Sequence, residues 1–83
     1  MNIKYFSWIR EGVGKPEESL AKPDFVTTVS DLLDHLSTVS EQHAAALKER
    51  ALIKVAVNQV HAGHGVTISD GDEIAIFPPV TGG

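Results

Sequence analysis

Val29, Leu32, Leu33 and Leu36 fall at i, i+3, i+4 and i+7, which puts four large aliphatic side chains on one helical face. That stripe must be covered, and it is the strongest constraint on the fold. The spacing predicts a helix over 28–39. Thr28 stands where an N-cap belongs, with Asp31 three residues on, a capping box with Asp in place of Glu. Asp31 also suits the positive end of the helix dipole. Further helical turns are expected over 41–50, around Ala44-Ala45-Ala46-Leu47. On either side of this helical middle the period changes to two. Residues 3–9 carry Tyr5, Phe6, Trp8 and Ile9 and read as a strand, broken by Gly12 and Gly14 in a turn or short irregular helix over 10–14. Leu20 and the Phe25-Val26 pair suggest a short second strand with Pro23 at its edge. Ile53, Val55 and Val57 alternate with polar or small residues, Asn58-Gln59 forms a turn, and Val60-His61 returns. Ser69-Asp70-Gly71-Asp72 is a strong turn signal, Asp-Gly being among the best hairpin dipeptides, and 73–77 makes the last strand. Strands flanking one principal helix predict an α+β domain, a mixed sheet with that helix packed on one face.

A chain of 83 residues holds one small domain. It buries about 60–65% of its unfolded surface, too little to enclose a deep catalytic cavity as well. The sequence contains no cysteine, which removes disulfides, thiolate nucleophiles, zinc ribbons and iron–sulfur clusters. Its net charge is −4 and its lysines and arginines are scattered, which argues against nucleic acid as a partner. No apolar run approaches the roughly 20 residues of a membrane span, and the first ten residues lack the basic head and apolar stretch of a secretory leader. The expectation is a soluble, cytoplasmic protein.

The end of the sequence is unusual. The last strand runs into Pro78-Pro79, followed by Val80, Thr81, Gly82 and Gly83. Proline cannot continue a ladder, and two in succession favour a stiff, extended segment. The expected organisation is a folded domain over 1–77 and a flexible C-terminal arm over 78–83. Such an arm can project about 20 Å. Two glycines leave no Cβ beside the terminal carbonyl, so a narrow channel in another protein could admit the tip. A resting carboxylate is a poor acyl electrophile and needs activation, such as an acyl-adenylate. The Gly-x-Gly of Gly12 and Gly14 lacks the third glycine and helix start of a nucleotide-binding loop, so ATP would belong to a partner. The plainer account of Gly82-Gly83 is a frayed linker.

Several blocks of the chain resemble the small subunit of molybdopterin synthase, a ubiquitin-like sulfur-carrier family. They are Tyr5-Phe6-Ser7-Trp8-Ile9-Arg10-Glu11-Gly12-Val13-Gly14, Thr28-Val29-Ser30-Asp31-Leu32-Leu33, Val57-Asn58-Gln59, and the run from Asp70-Gly71-Asp72 through Phe77-Pro78-Pro79-Val80-Thr81-Gly82-Gly83. The Phe-Pro-Pro step separates this ending from the thiamine sulfur carriers, which share Gly-Gly. The resemblance implies a β-grasp fold and a non-catalytic, sulfur-donating role. Gly83 would be adenylated by an enzyme of the ubiquitin-activating type, using ATP, and a sulfur donor protein would convert it to a thiocarboxylate. Pro78, Pro79, Val80, Thr81 and Gly82 would thread into the synthase large subunit, in a heterotetramer, where sulfur passes to cyclic pyranopterin monophosphate to build molybdopterin. The chain itself would bind no cofactor. Phe6 and Phe77 become candidates for the partner interface, with packing under the helix as their plainer role. His61 falls where that family is expected to carry an apolar interface residue. A sulfur carrier for thiamine, tRNA or cysteine synthesis, a ubiquitin-like protein modifier, and an interaction module with an inert tail are the alternatives.

Other constellations point to plainer roles. His61-x-x-His64 has helical metal-ligand spacing, but Gly63 and Gly65 make a loop of it, no carboxylate or cysteine completes the set, and no metal is expected. His35 and His43 are read as surface residues. Asp70, Asp72 and Glu73 lack the remaining ligands of a calcium loop. Asp31 and Asp34 share a helix face, but a catalytic pair needs a cleft to raise one pKa, and a solvated face is expected.

Overall fold

The computed structural model describes residues 1–79. β1 (Asn2–Tyr5) buries Ile3 and Tyr5 by simple alternation. The strand expected over 3–9 stops at Tyr5, because Ser7 takes φ +55° and turns the chain. Phe6 is the extended N-cap of α1 (Ser7–Val13). Its aromatic, β-favouring start masked the i, i+4 pair Ile9 and Val13, which α1 buries, and the helix stop at Gly14. Gly14 sits at φ +92°, a left-handed C-cap that donates to the Arg10 carbonyl.

The second strand also differs from expectation. β2 (Glu17–Ser19) pairs antiparallel with β1, Ile3 opposite Glu18, whereas Leu20 and the Phe25-Val26 pair lie outside any strand. Nothing in Glu-Glu-Ser favours a strand locally; the free edge of β1 and the inward hydrogen bonds of Glu18 select it.

α2 (Val29–Leu36) carries the full capping box. Thr28 Oγ1 accepts from the Asp31 amide at 3.2 Å, and Asp31 Oδ2 accepts from the Thr28 amide at 3.1 Å. The helix ends at Leu36 rather than 39, where Ser37 and Thr38 turn their hydroxyls back onto the Leu33 and His35 carbonyls. α3 (Glu41–Ala46) is shorter than the expected 41–50 and gives way to a 3-10 turn, Arg50–Leu52.

β3 (Lys54–Val57) and β4 (Val60–Ala62) form a hairpin around Asn58 and Gln59, both at positive φ as a type I′ turn requires. The 69–72 turn forms but leads into β5 (Glu73–Phe77), which pairs with β1 and β3 rather than with its predecessor in a hairpin. The sheet order is β2-β1-β5-β3-β4, with β1 and β5 parallel and the other pairs antiparallel. This is the expected mixed sheet with its principal helix on one face. Ile3, Tyr5, Val55, Ile74 and Ile76 from the sheet share one core with Val29, Leu32, Leu33 and Leu36 of α2. Alternation then leaves Lys4, Lys54, His61, Ala75 and Phe77 on the opposite, bare face. Among the described residues no helix is long and apolar enough to cross a membrane.

Candidate functional site

The bare face converges on the end of β5. Lys54 opposite Phe77 is the last register pair of the β3–β5 ladder. Beyond it Pro78 has no amide hydrogen to extend the ladder, and both prolines are half-buried. Val80, Thr81, Gly82 and Gly83, which carry the expected threading and acyl chemistry, lie outside the described residues.

The two candidate interface aromatics are brought together. Tyr5 pairs with Ile76, and Phe6, extended at φ −128° and ψ 154°, donates its amide to the Ile76 carbonyl at 3.1 Å. Alternation puts its ring on the bare face beside Phe77. Phe6 is 45% exposed, too open to be a core residue. Phe77 is half-buried and takes the His61 ring edge-on, centroids 5.4 Å apart at 82°. His61 is exposed, its ring edge resting on Phe77 and its nitrogens without a hydrogen-bond partner among the described residues. It belongs to β4, not to a loop. Lys54, exposed, and Lys4, ion-paired with Glu73 at 3.4 Å, flank the aromatics. Sequence reasoning passed over these lysines and Ala75; the register of β1, β3 and β5, which would have found them, is not visible in a single strand pattern.

The strand that carries Phe77 is anchored at its other end. Asp72 Oδ2 accepts from the Ser69 amide at 2.7 Å and Oδ1 from Asn58 Nδ2 at 3.0 Å, while Asn58 Oδ1 accepts from the Glu73 amide at 2.9 Å. The Ser69 and Asn58 hydrogen bonds hold the Asp72 carboxyl below its ordinary range. With both oxygens committed, turn chemistry accounts for Asp70-Gly71-Asp72, and among the described residues no three potential metal ligands assemble. His64 is half-buried, its Nε2 at 2.9 Å from the Ile53 carbonyl.

His43 is not a surface residue. It is 2% exposed, the one buried residue of polar or charged type among those described. A carboxylate only accepts, so His43 Nε2 donates to Glu18 Oε2 at 2.7 Å; Tyr5 Oη donates to the same oxygen at 2.7 Å, and His43 Nδ1 lies 2.7 Å from Ser40 Oγ. Burial opposes ionisation of Glu18, but the hydrogen bonds from His43 and Tyr5, with the charges of His43 and Lys15, outweigh it and lower its pKa. Burial first, then Glu18, pushes the Tyr5 phenol well up. This cluster locks β1, β2 and α3 together under the start of the site. His35 is half-buried, edge-on to Phe25. Asp31 and Asp34 line a depression of about 310 Å³ with Phe25, His35 and Thr38. The Thr27 and Thr28 hydrogen bonds lower the Asp31 pKa, the opposite of what a general acid needs, and Asp34 pairs with Arg50 at 2.8 Å.

A five-stranded mixed sheet with a helix across one face, ending in a strand that runs into a double proline, defines a ubiquitin-like β-grasp domain. A family model described as ThiS family matches residues 3–83, and the chain belongs to that family. It is 40% identical to the molybdopterin synthase sulfur carrier subunit of Escherichia coli strain K12, over 100% of this chain and 99% of the relative. The subunit of the same name from Haemophilus influenzae is 35% identical, over 100% and 99%. The crystal structure of small archaeal modifier protein 1 from Haloferax volcanii superposes with a TM-score of 0.75 at 32% identity, over 96% of this chain and 97% of that one.

Proposed function

We propose that the chain is the sulfur carrier subunit of a molybdopterin synthase. The observation that carries this reading is the 40% identity, over the full chain, to a relative of that name. The family match running through residue 83, and so through Gly82-Gly83, agrees with it. In this reading an adenylating enzyme joins the Gly83 carboxylate to AMP from ATP, releasing pyrophosphate. A sulfur donor then displaces AMP and leaves a thiocarboxylate. With no cysteine in the chain, the terminal carbonyl is the place for that sulfur. Phe6, Phe77 and His61 dock the partner. Pro78, Pro79, Val80, Thr81 and Gly82 pass the tip into the large subunit, whose side chains catalyse transfer to cyclic pyranopterin monophosphate.

Deleting Gly83 tests this. The deletion should abolish sulfur transfer with the large subunit while leaving the thermal melt unchanged. Transfer by the truncated chain would refute the proposal. The likeness to a small archaeal modifier protein supports a second reading, in which the same terminus forms isopeptide bonds. Conjugates on lysines of other proteins would favour it over the first.

A further inference from the structure

One cavity differs in charge from the rest of this acidic chain. It has a volume of about 330 Å³ and lies between the 3-10 turn and the β3–β4 hairpin, lined by Arg50, Lys54, His61 and His64 over a floor that includes Ile53. Two of the seven Lys and Arg and two of the four histidines of a chain with net charge −4 meet here. No carboxylate lines it among the described residues, whereas two further cavities are bordered by Asp70, Asp72 and Glu73, or by Asp31 and Asp34. Arg50 and Lys54 concentrate positive charge at this cleft and the two imidazoles add ring nitrogens to it, so the local field favours an anion.

The groups are also held in place. Arg50 Nη2 pairs with Asp34 Oδ1 at 2.8 Å and Nε donates to the Leu47 carbonyl at 3.3 Å, which fixes the guanidinium plane and leaves Nη1 without a described protein partner. His64 is tethered through Nε2 to the Ile53 carbonyl at 2.9 Å. Lys54 projects from the β3 ladder and makes no ion pair with any described residue. One uncommitted guanidinium nitrogen, an exposed ammonium and two imidazoles reach the cleft from different elements, which suits an acceptor with several oxygens in tetrahedral array better than a planar carboxylate.

We propose that this cleft binds the phosphate group of a small phosphorylated molecule. The cleft shares Lys54 and His61 with the face that carries Phe77, and the proposal does not depend on the sulfur-carrier reading. The test is an amide chemical-shift titration of the full chain at constant ionic strength, with inorganic phosphate, glucose 6-phosphate and, as the planar anion, acetate. Both phosphates should give saturable shifts confined to residues 50–54 and 61–64, with a dissociation constant on the order of 1 mM for so open a site. Glucose 6-phosphate should bind at least as tightly as inorganic phosphate. Lys54→Gln and Arg50→Gln should each weaken binding about tenfold, and Lys4→Gln, on β1, should not. Lys54 is exposed, so Lys54→Gln keeps the test alive if loss of the Asp34 pair unfolds Arg50→Gln. Shifts that do not saturate, that persist unchanged in Lys54→Gln, that acetate reproduces, or that glucose 6-phosphate fails to elicit would each overturn the proposal.

Discussion

Replacing Glu18 with alanine should be among the most damaging changes to a half-exposed position in this domain. Its carboxylate receives two hydrogen bonds at 2.7 Å, from Tyr5 Oη and His43 Nε2. Removing it strands a phenol that is 1% exposed and an imidazole that is 2% exposed. Each orphaned buried donor costs about 1–3 kcal/mol. The Glu18 side chain is itself 20% exposed, so water can reach the gap and the lower end applies. The expected loss is about 2–4 kcal/mol, or about 10–25 °C in Tm for a domain of this size. Glu18→Gln keeps an oxygen that can accept both bonds and loses only the charge, so it should cost about 1 kcal/mol. The folded pKa of Glu18 lies below its ordinary 4.5. Its charge-dependent stabilisation is therefore complete above that value and disappears as pH falls through the folded pKa. Urea denaturation followed by circular dichroism, at several pH values, reads all three quantities. A Glu18→Ala variant within about 0.5 kcal/mol of the parent, or a parent-to-Gln gap that widens on acidification, would refute the reasoning.

Three further outcomes follow from packing and backbone geometry. A Cβ on Gly12 would lie 2.9 Å from the Ala46 Cβ, so Gly12→Ala must push α1 and α3 apart; it should cost about 1 kcal/mol after its gain in helix propensity, and Ala46→Gly should restore most of the loss in the double variant's chemical denaturation. Gln59 holds φ +70° in the β3–β4 turn, so Gln59→Gly should raise stability by about 0.5 kcal/mol in the same assay, whereas Gln59→Val should lower it. Phe77→Asp, on the bare face, should leave the melt within a few degrees of the parent yet weaken binding to the adenylating enzyme or the large subunit at least about tenfold by calorimetry.

The parts of the fold legible in the sequence were those written locally. The α2 stripe and its Thr28–Asp31 cap, the alternation of β3 and β5, and the Asn58-Gln59 turn each carry their own signal within a few residues. The failures share a cause. Of the turn or short helix expected over 10–14 the structure has the helix, but α1 starts at Ser7, where β-favouring Phe6 and Trp8 hide its start; the buried pair Ile9 and Val13 and the close approach of Gly12 to Ala46 from a later helix hold it. β2 is a strand because β1 has a free edge and Glu18 has buried partners, both remote in sequence. His43 reads from the sequence as a surface residue because its partners, Tyr5 and Glu18, lie 38 and 25 positions away along the chain. At the candidate site, Phe77 and the double proline could be picked out from the sequence. The meeting of Phe6, His61 and Lys54 around Phe77 needed the register of three strands.

Intact and fragment mass spectrometry after incubation with the adenylating enzyme, ATP and a sulfur source tests the central claim most directly. The account predicts exchange of one oxygen for sulfur, confined to the C-terminal fragment that holds Gly83 and absent without ATP. A chain whose mass stays unchanged under conditions that convert a known carrier, or sulfur found on any other fragment, would contradict it.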